Sequence, residues 1–105
     1  MALSTRPWGD IAESDYTMEQ WHRACLMHLH EGEPMAKGQC KLPVLEPNGT
    51  PNRNGMFAAQ GALLGARGGV DAPPDKKKSA ARKLIGMMRA NDMQPSPRLL
   101  ELGGY

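Results

Sequence analysis

At 105 residues the chain has room for one domain and one modest core. Its net charge of +2, with both signs spread along the chain, lacks the bias of a dedicated nucleic-acid binder, and two cysteines make no disulfide framework. There is no secretory h-region and no apolar run long enough to span a bilayer, so the expectation is a soluble protein made in a reducing cytosol.

Residues 1–15, "MALSTRPWGDIAESD", read as an N-terminal arm, with Pro7 and Gly9 flanking Trp8 and no helical period. Trp8 either plugs into its own domain or anchors a partner. The small helical domain then spans residues 16–102. Its first helix is expected over 18–30. Thr17 is the N-cap with Gln20 at N3, a capping box, and Tyr16 and Trp21 form the matching hydrophobic staple. Trp21, Ala24, Cys25, His28 and Leu29 follow at helical spacing, and Gly32 and Pro34 supply the stop.

Residues 33–53 read as irregular. Pro43, Pro47 and Pro51 each remove a backbone donor, and "PNG" at 47–49 is a turn signal. At most a very short strand is expected there, and no sheet. A second helix is expected over 55–67, with bulk from Met56, Phe57, Leu63 and Leu64 and a thin face of Ala and Gly. Gly61 and Gly65, inside it, need a packing reason, since internal Gly costs about 1 kcal/mol against Ala. Gly68 and Gly69 read as its C-cap, with Val70 as the contact beyond.

The third helix is expected over 73–90, with Asp71 as candidate cap and Pro73 or Pro74 in the first turn. Ala81, Leu84, Ile85 and Met88 form its apolar stripe, and Asn91 is placed to close it in a left-handed conformation. Ser96 caps a last turn over 97–102, with Pro97 at N1. The fold class expected is mainly α: a small three-helix domain with a short C-terminal helical turn, long irregular Pro/Gly-rich connections and an N-terminal arm.

Chemistry is harder to find. The glycines of "NGMFAAQGALLGARGGV" fit neither the Walker pattern nor the dinucleotide fingerprint, and they lie inside and at the end of a helix rather than at its start. They are read as structural. Lys76, Lys77, Lys78, Arg82, Lys83 and Arg89 form a basic cluster, of which Lys78, Arg82 and Arg89 share one line of the third helix. A solvated face is the simpler reading, although lysines in a first turn oppose the macrodipole. The nearest thing to a zinc set is Cys25, His28, His30 and Cys40, but no standard ligand pattern is present. His22 and His28, six residues apart on one helix, would point about 120° apart and could not easily share an ion. Cys25 falls on the apolar stripe as an ordinary buried thiol. No metal, no cofactor and no catalytic set is expected, and the chain is read as a non-enzyme.

The strings "YTMEQWHRACL", "KLPVLEPNGTPNRNGMFAAQGALLGARGGV" and "KKKSAARKLIGMM", in that order, resemble a small head-morphogenesis domain of tailed bacteriophages and prophages. That domain occurs as a C-terminal segment of head maturation (prohead) proteases and as short stand-alone proteins. The resemblance covers residues 14–100, and "LPVLEPNG", "NRNG" and "GARGGV" are its most specific parts. It implies a structural virion protein: a capsid decoration (cement) or minor head protein that binds the major capsid protein and stabilises the shell. The protease domain is not in this chain, so proteolysis does not carry over. Cys25 in "RACL" is typical of the family, whereas His28 and Cys40 are not. Leu3 and Trp8 are candidate apolar anchors, Lys76, Lys78, Arg82 and Arg89 a candidate docking face, and the 1–15 and 33–53 stretches candidate reaching arms. Self-association on the capsid lattice would follow. The location implied is the virion capsid, after synthesis in the host cytoplasm. The alternative is a nucleic-acid-binding or scaffolding factor acting during head assembly.

Overall fold

A computed structural model of the chain describes residues 3–29 and 37–105. Within them the fold is mainly helical, with four α-helices and one two-stranded sheet: α1 (Met18–Ala24), β1 (Cys25–His28), β2 (Cys40–Pro43), α2 (Arg53–Leu63), α3 (Pro74–Ala90) and α4 (Pro97–Leu102). Short 3-10 turns punctuate the connections.

The start of α1 follows from its sequence. The Thr17 hydroxyl accepts from Gln20 N at 3.1 Å, and the Gln20 side chain accepts from Thr17 N at 2.8 Å. Tyr16 and Trp21 meet edge to face at 5.0 Å between ring centroids. The end of α1 departs from expectation. The helix stops at Ala24, and Cys25 turns extended, with φ −89° and ψ 142°. Its continuation is β1, antiparallel to β2, with Cys25 opposite Pro43 and His28 opposite Cys40. The apolar spacing that suggested a helix to residue 30 is satisfied here by a strand. The expectation of no sheet within 33–53 is also overturned, because among the described residues 37–53 Cys40–Pro43 forms the second strand of that sheet and Leu45 bridges Pro51.

Helix α2 also ends early. Gly65 takes the left-handed conformation (φ 98°) immediately after the C-cap Leu64, so it terminates the helix rather than thinning its interior. Gly68 and Gly69 lie in and after a separate 3-10 turn. Within α2 the glycine that makes room for a neighbour is Gly55, where a Cβ would meet the Trp8 ring at 3.0 Å. Helix α3 opens with Pro73 as N-cap and Pro74 at N1, leaving Asp71 outside the cap. At its end Asp92, not Asn91, adopts positive φ (58°). The last turn forms α4, with Ser96 Oγ accepting from Leu99 N. The expected three-helix count is therefore replaced by four helices and a sheet.

Two cores result. The larger joins Leu26, Met27, Leu42, Val44, Met56, Ala59, Leu63, Leu84, Ile85, Met88 and Leu99, and brings the sheet, α2, α3 and α4 together. The smaller comprises Tyr16, Trp21, Ala24, Cys25 and Cys40. Trp21 is its organiser: its indole Nε1 donates to the carbonyls of Lys37 (2.8 Å) and Cys40 (3.3 Å). Phe57, expected to add bulk to the interior, is instead 40% exposed.

The arm is stitched to the body. Ser4 N donates to Pro51 O and Arg53 N to Ser4 O, which makes a parallel bridge between Ser4 and Asn52. Asn54 Nδ2 donates to the Thr5 and Arg6 carbonyls. The junction closes on Asn52, which is fully buried. Its Oδ1 accepts from Gly55 N, capping α2, and its Nδ2 donates to Arg6 O and Glu46 Oε2.

Candidate functional site

Three places on the described surface and interior carry side chains that can meet something else: a histidine–cysteine corner, an apolar groove and a basic face. The corner is the one that the sequence argued against. His22 lies on α1, His28 on β1 and Cys40 on β2. Their possible ligand atoms all lie within 4.8 Å of one another. The imidazoles of His22 and His28 are 4.4 Å apart between centroids, tilted by 42°. The angular argument that kept these histidines apart assumed a helix running through His28; with the helix ending at Ala24, the reason disappears. Of the four residues first considered for zinc, His28 and Cys40 belong to the cluster. Cys25 does not, and His30 lies outside the described residues. His22, set aside on that angular argument, completes the cluster. The signal that could have found it was the pairing of "CLMH" with "CKLP", two short extended segments on either side of a Gly/Pro-containing connection.

Both thiols are free and buried. Burial pushes each above the ordinary thiol range, and for Cys25 the neighbouring Cys40 adds to the effect. These are protonated thiols unless a cation displaces the proton. Burial also pushes the Tyr16 phenol up to about 12, and its hydroxyl donates to Leu45 O at 2.6 Å. Neither thiol has the electropositive, partly exposed setting of a reactive cysteine.

The groove has a volume of about 690 Å³ and is lined by Trp8, Gly9, Phe57, Ala58, Gly61, Ala62, Ala66 and Gly69. Trp8 is half-buried, its indole against Gly55. Leu3 is half-buried against the main core. The reach once assigned to residues 1–15 and 33–53 is not how the described parts of these stretches are used: 3–15 and 37–53 fold back onto the body.

On α3, Lys76, Lys78, Arg82 and Arg89 are all exposed. The guanidinium groups of Arg82 and Arg89 each lie 5.4 Å from the centroid of the Tyr105 ring, and the Lys78 stem runs beside Gly104. Three members of the predicted line thus gather around the C-terminal segment, while Lys76 stands apart at the helix start. Tyr105, 62% exposed, was not singled out from the sequence.

The arm junction has an electrostatic signature of its own. Side-chain hydrogen bonds from Ser4 and Asn52, helped by the charge of Arg6, hold the buried Glu46 carboxyl below its ordinary value despite burial. A depressed folded-state pKa means that the ionised form stabilises the fold. This contribution is full above the ordinary carboxylate value of 4.5 and is lost as pH falls below it through the folded value. Denaturant midpoints should accordingly drop between neutral pH and pH ~3 more steeply in the parent chain than in Glu46→Gln. Equal slopes would show that Glu46 does not couple the arm to pH.

No protein-family model matches the chain, and comparison with curated proteins and with solved structures finds no match. Among the described residues, no helix is long and apolar enough to cross a membrane.

Proposed function

We propose that this chain is a non-enzymatic structural protein of a bacteriophage head, a decoration or minor head protein that binds the major capsid protein and stabilises the shell. The resemblance of residues 14–100 to a phage head-morphogenesis domain motivates the reading. The observation that carries it is the apolar groove of Trp8, Phe57, Ala58, Gly61, Ala62 and Ala66. Small residues in its lining allow a partner backbone to approach closely, and an exposed Phe57 with the Arg53 guanidinium 5.3 Å from its ring offers an aromatic–arginine pair of the kind enriched at protein interfaces. Capsid protein is the occupant this reading assigns to the groove. Repetition over a lattice makes a modest contact at each copy sufficient.

A second reading, a nucleic-acid-binding assembly factor, is favoured by one observation. Arg82 and Arg89 both lie over the ring of an exposed Tyr105, with Lys78 beside the neighbouring Gly104, a combination suited to phosphate and base contacts. Binding through that face would weaken steeply with salt.

A protein inventory of the phage particles separates the possibilities. Under the proposal the chain is present in mature heads in fixed ratio to the major capsid protein, and heads lacking it dissociate at lower temperature. Its presence in procapsids with loss from mature heads would replace decoration by scaffolding. Absence from both would overturn a structural role in the head.

A further inference from the structure

We propose that His22, His28 and Cys40 bind one zinc ion in a three-ligand site that cross-links α1 to both strands of the sheet. The three donor groups come from three different elements and lie within 4.8 Å of one another. Zinc bonds of about 2.0–2.1 Å to nitrogen and about 2.3 Å to sulfur set neighbouring donors about 3.3–3.7 Å apart in a tetrahedral site. From a widest separation of 4.8 Å the donors must therefore draw in by up to about 1.1–1.5 Å, within the reach of side-chain rotations.

The scaffold behind the donors is built. His28 and Cys40 are directly opposed in the antiparallel register, so the ladder fixes their separation. The Cys40 carbonyl receives the Trp21 indole N–H, which ties the start of β2 to the helix that carries His22. Cys40 is 2% exposed, whereas both histidines are half-buried. An ion thus enters between the imidazoles and meets the sulfur at the back.

Donor chemistry selects the metal class. Two imidazoles and a thiolate suit zinc and its neighbours in the first transition row, and do not suit calcium or magnesium, which take oxygen ligands. On binding, the Cys40 thiol gives its proton to solvent and both imidazoles coordinate as neutral ligands. Three protein ligands leave the fourth position of the ion to water. Because the ion binds only the folded arrangement, it acts as a reversible cross-link in the smaller core.

The test is a cobalt titration of the reduced, metal-free full chain, followed by displacement with zinc. The expected result is one equivalent of Co²⁺ bound with a thiolate-to-cobalt charge-transfer absorption, erased by zinc, and a melting temperature raised by saturating zinc. Cys40→Ser should abolish the charge-transfer band, and Cys25→Ala should retain it. His22→Gln, at a half-buried helical position, should weaken cobalt binding at least tenfold. The proposal is overturned if the folded chain takes up no cobalt, if the band survives Cys40→Ser, or if His22→Gln binds as the parent does. Should circular dichroism show Cys40→Ser unfolded, the His22→Gln titration decides alone.

Discussion

Asn52→Ala should destabilise the domain by about 3 kcal/mol, a substantial share of the stability available to a chain of this size. The side chain is fully buried and makes three hydrogen bonds, each to a different segment. Loss of Oδ1 uncaps α2 at Gly55 N, worth about 1 kcal/mol. Loss of Nδ2 removes one of two donors from the Arg6 carbonyl, which keeps Asn54 Nδ2, and one from the buried Glu46 carboxylate, which keeps Ser4; a buried group that loses a hydrogen bond costs about 1–3 kcal/mol. The sum of the separate costs exceeds the prediction because water can reach Arg6, which is exposed. Thermal unfolding should show the melting temperature reduced by on the order of 15 °C. Asn52→Asp divides the effect. It keeps an acceptor for the cap but sets a second carboxylate against Glu46, so its deficit should shrink as pH is lowered and one of the two is protonated. A loss below about 1 kcal/mol for Asn52→Ala would mean that the arm junction contributes little to folding.

The largest effect belongs to Trp21→Ala, expected to cost about 4 kcal/mol in denaturant unfolding followed by circular dichroism. Trp21 meets Tyr16 edge to face inside the smaller core and, through its indole N–H, hydrogen-bonds the β2 entrance. Truncation leaves a cavity beside Tyr16 and removes the donor from the carbonyls of Lys37 and Cys40. Trp21→Phe keeps most of the apolar volume and loses the N–H, so about 1–2 kcal/mol is expected. If the two variants are equally unstable, the indole N–H dominates; if Trp21→Phe is neutral, packing does.

These two residues also mark what can be read from the linear chain. The capping box and staple at Thr17, Gln20, Tyr16 and Trp21 were visible because every partner lies within five residues. The buried stripe of α3 was visible for the same reason: Ala81, Leu84, Ile85 and Met88 repeat at the helical period, and all are buried. Strand β1 was hidden because "CLMH" continues the helical spacing of α1. Only its partner, twelve to eighteen residues further on, makes extension the better state. Asn52 looked like one more polar loop residue. Its role depends on Arg6 and Glu46, which the fold and not the local pattern brings to it. The metal corner was argued against through the same error as β1, since a wrong backbone period separates His22 from His28. The basic line was legible as a line, but its gathering around Tyr105 required the position of α4.

The stitched arm bears on how the domain meets any partner. A free arm that orders on contact spends part of its interaction energy on lost chain entropy. Here Ser4, Thr5 and Arg6 have already been fixed by the body through Pro51, Asn52, Arg53 and Asn54. That entropy was spent during folding. The surface bordered by Trp8 and Phe57 is therefore preorganised, and association through it begins as the docking of a rigid shape, with shape complementarity rather than reach deciding which surfaces it accepts.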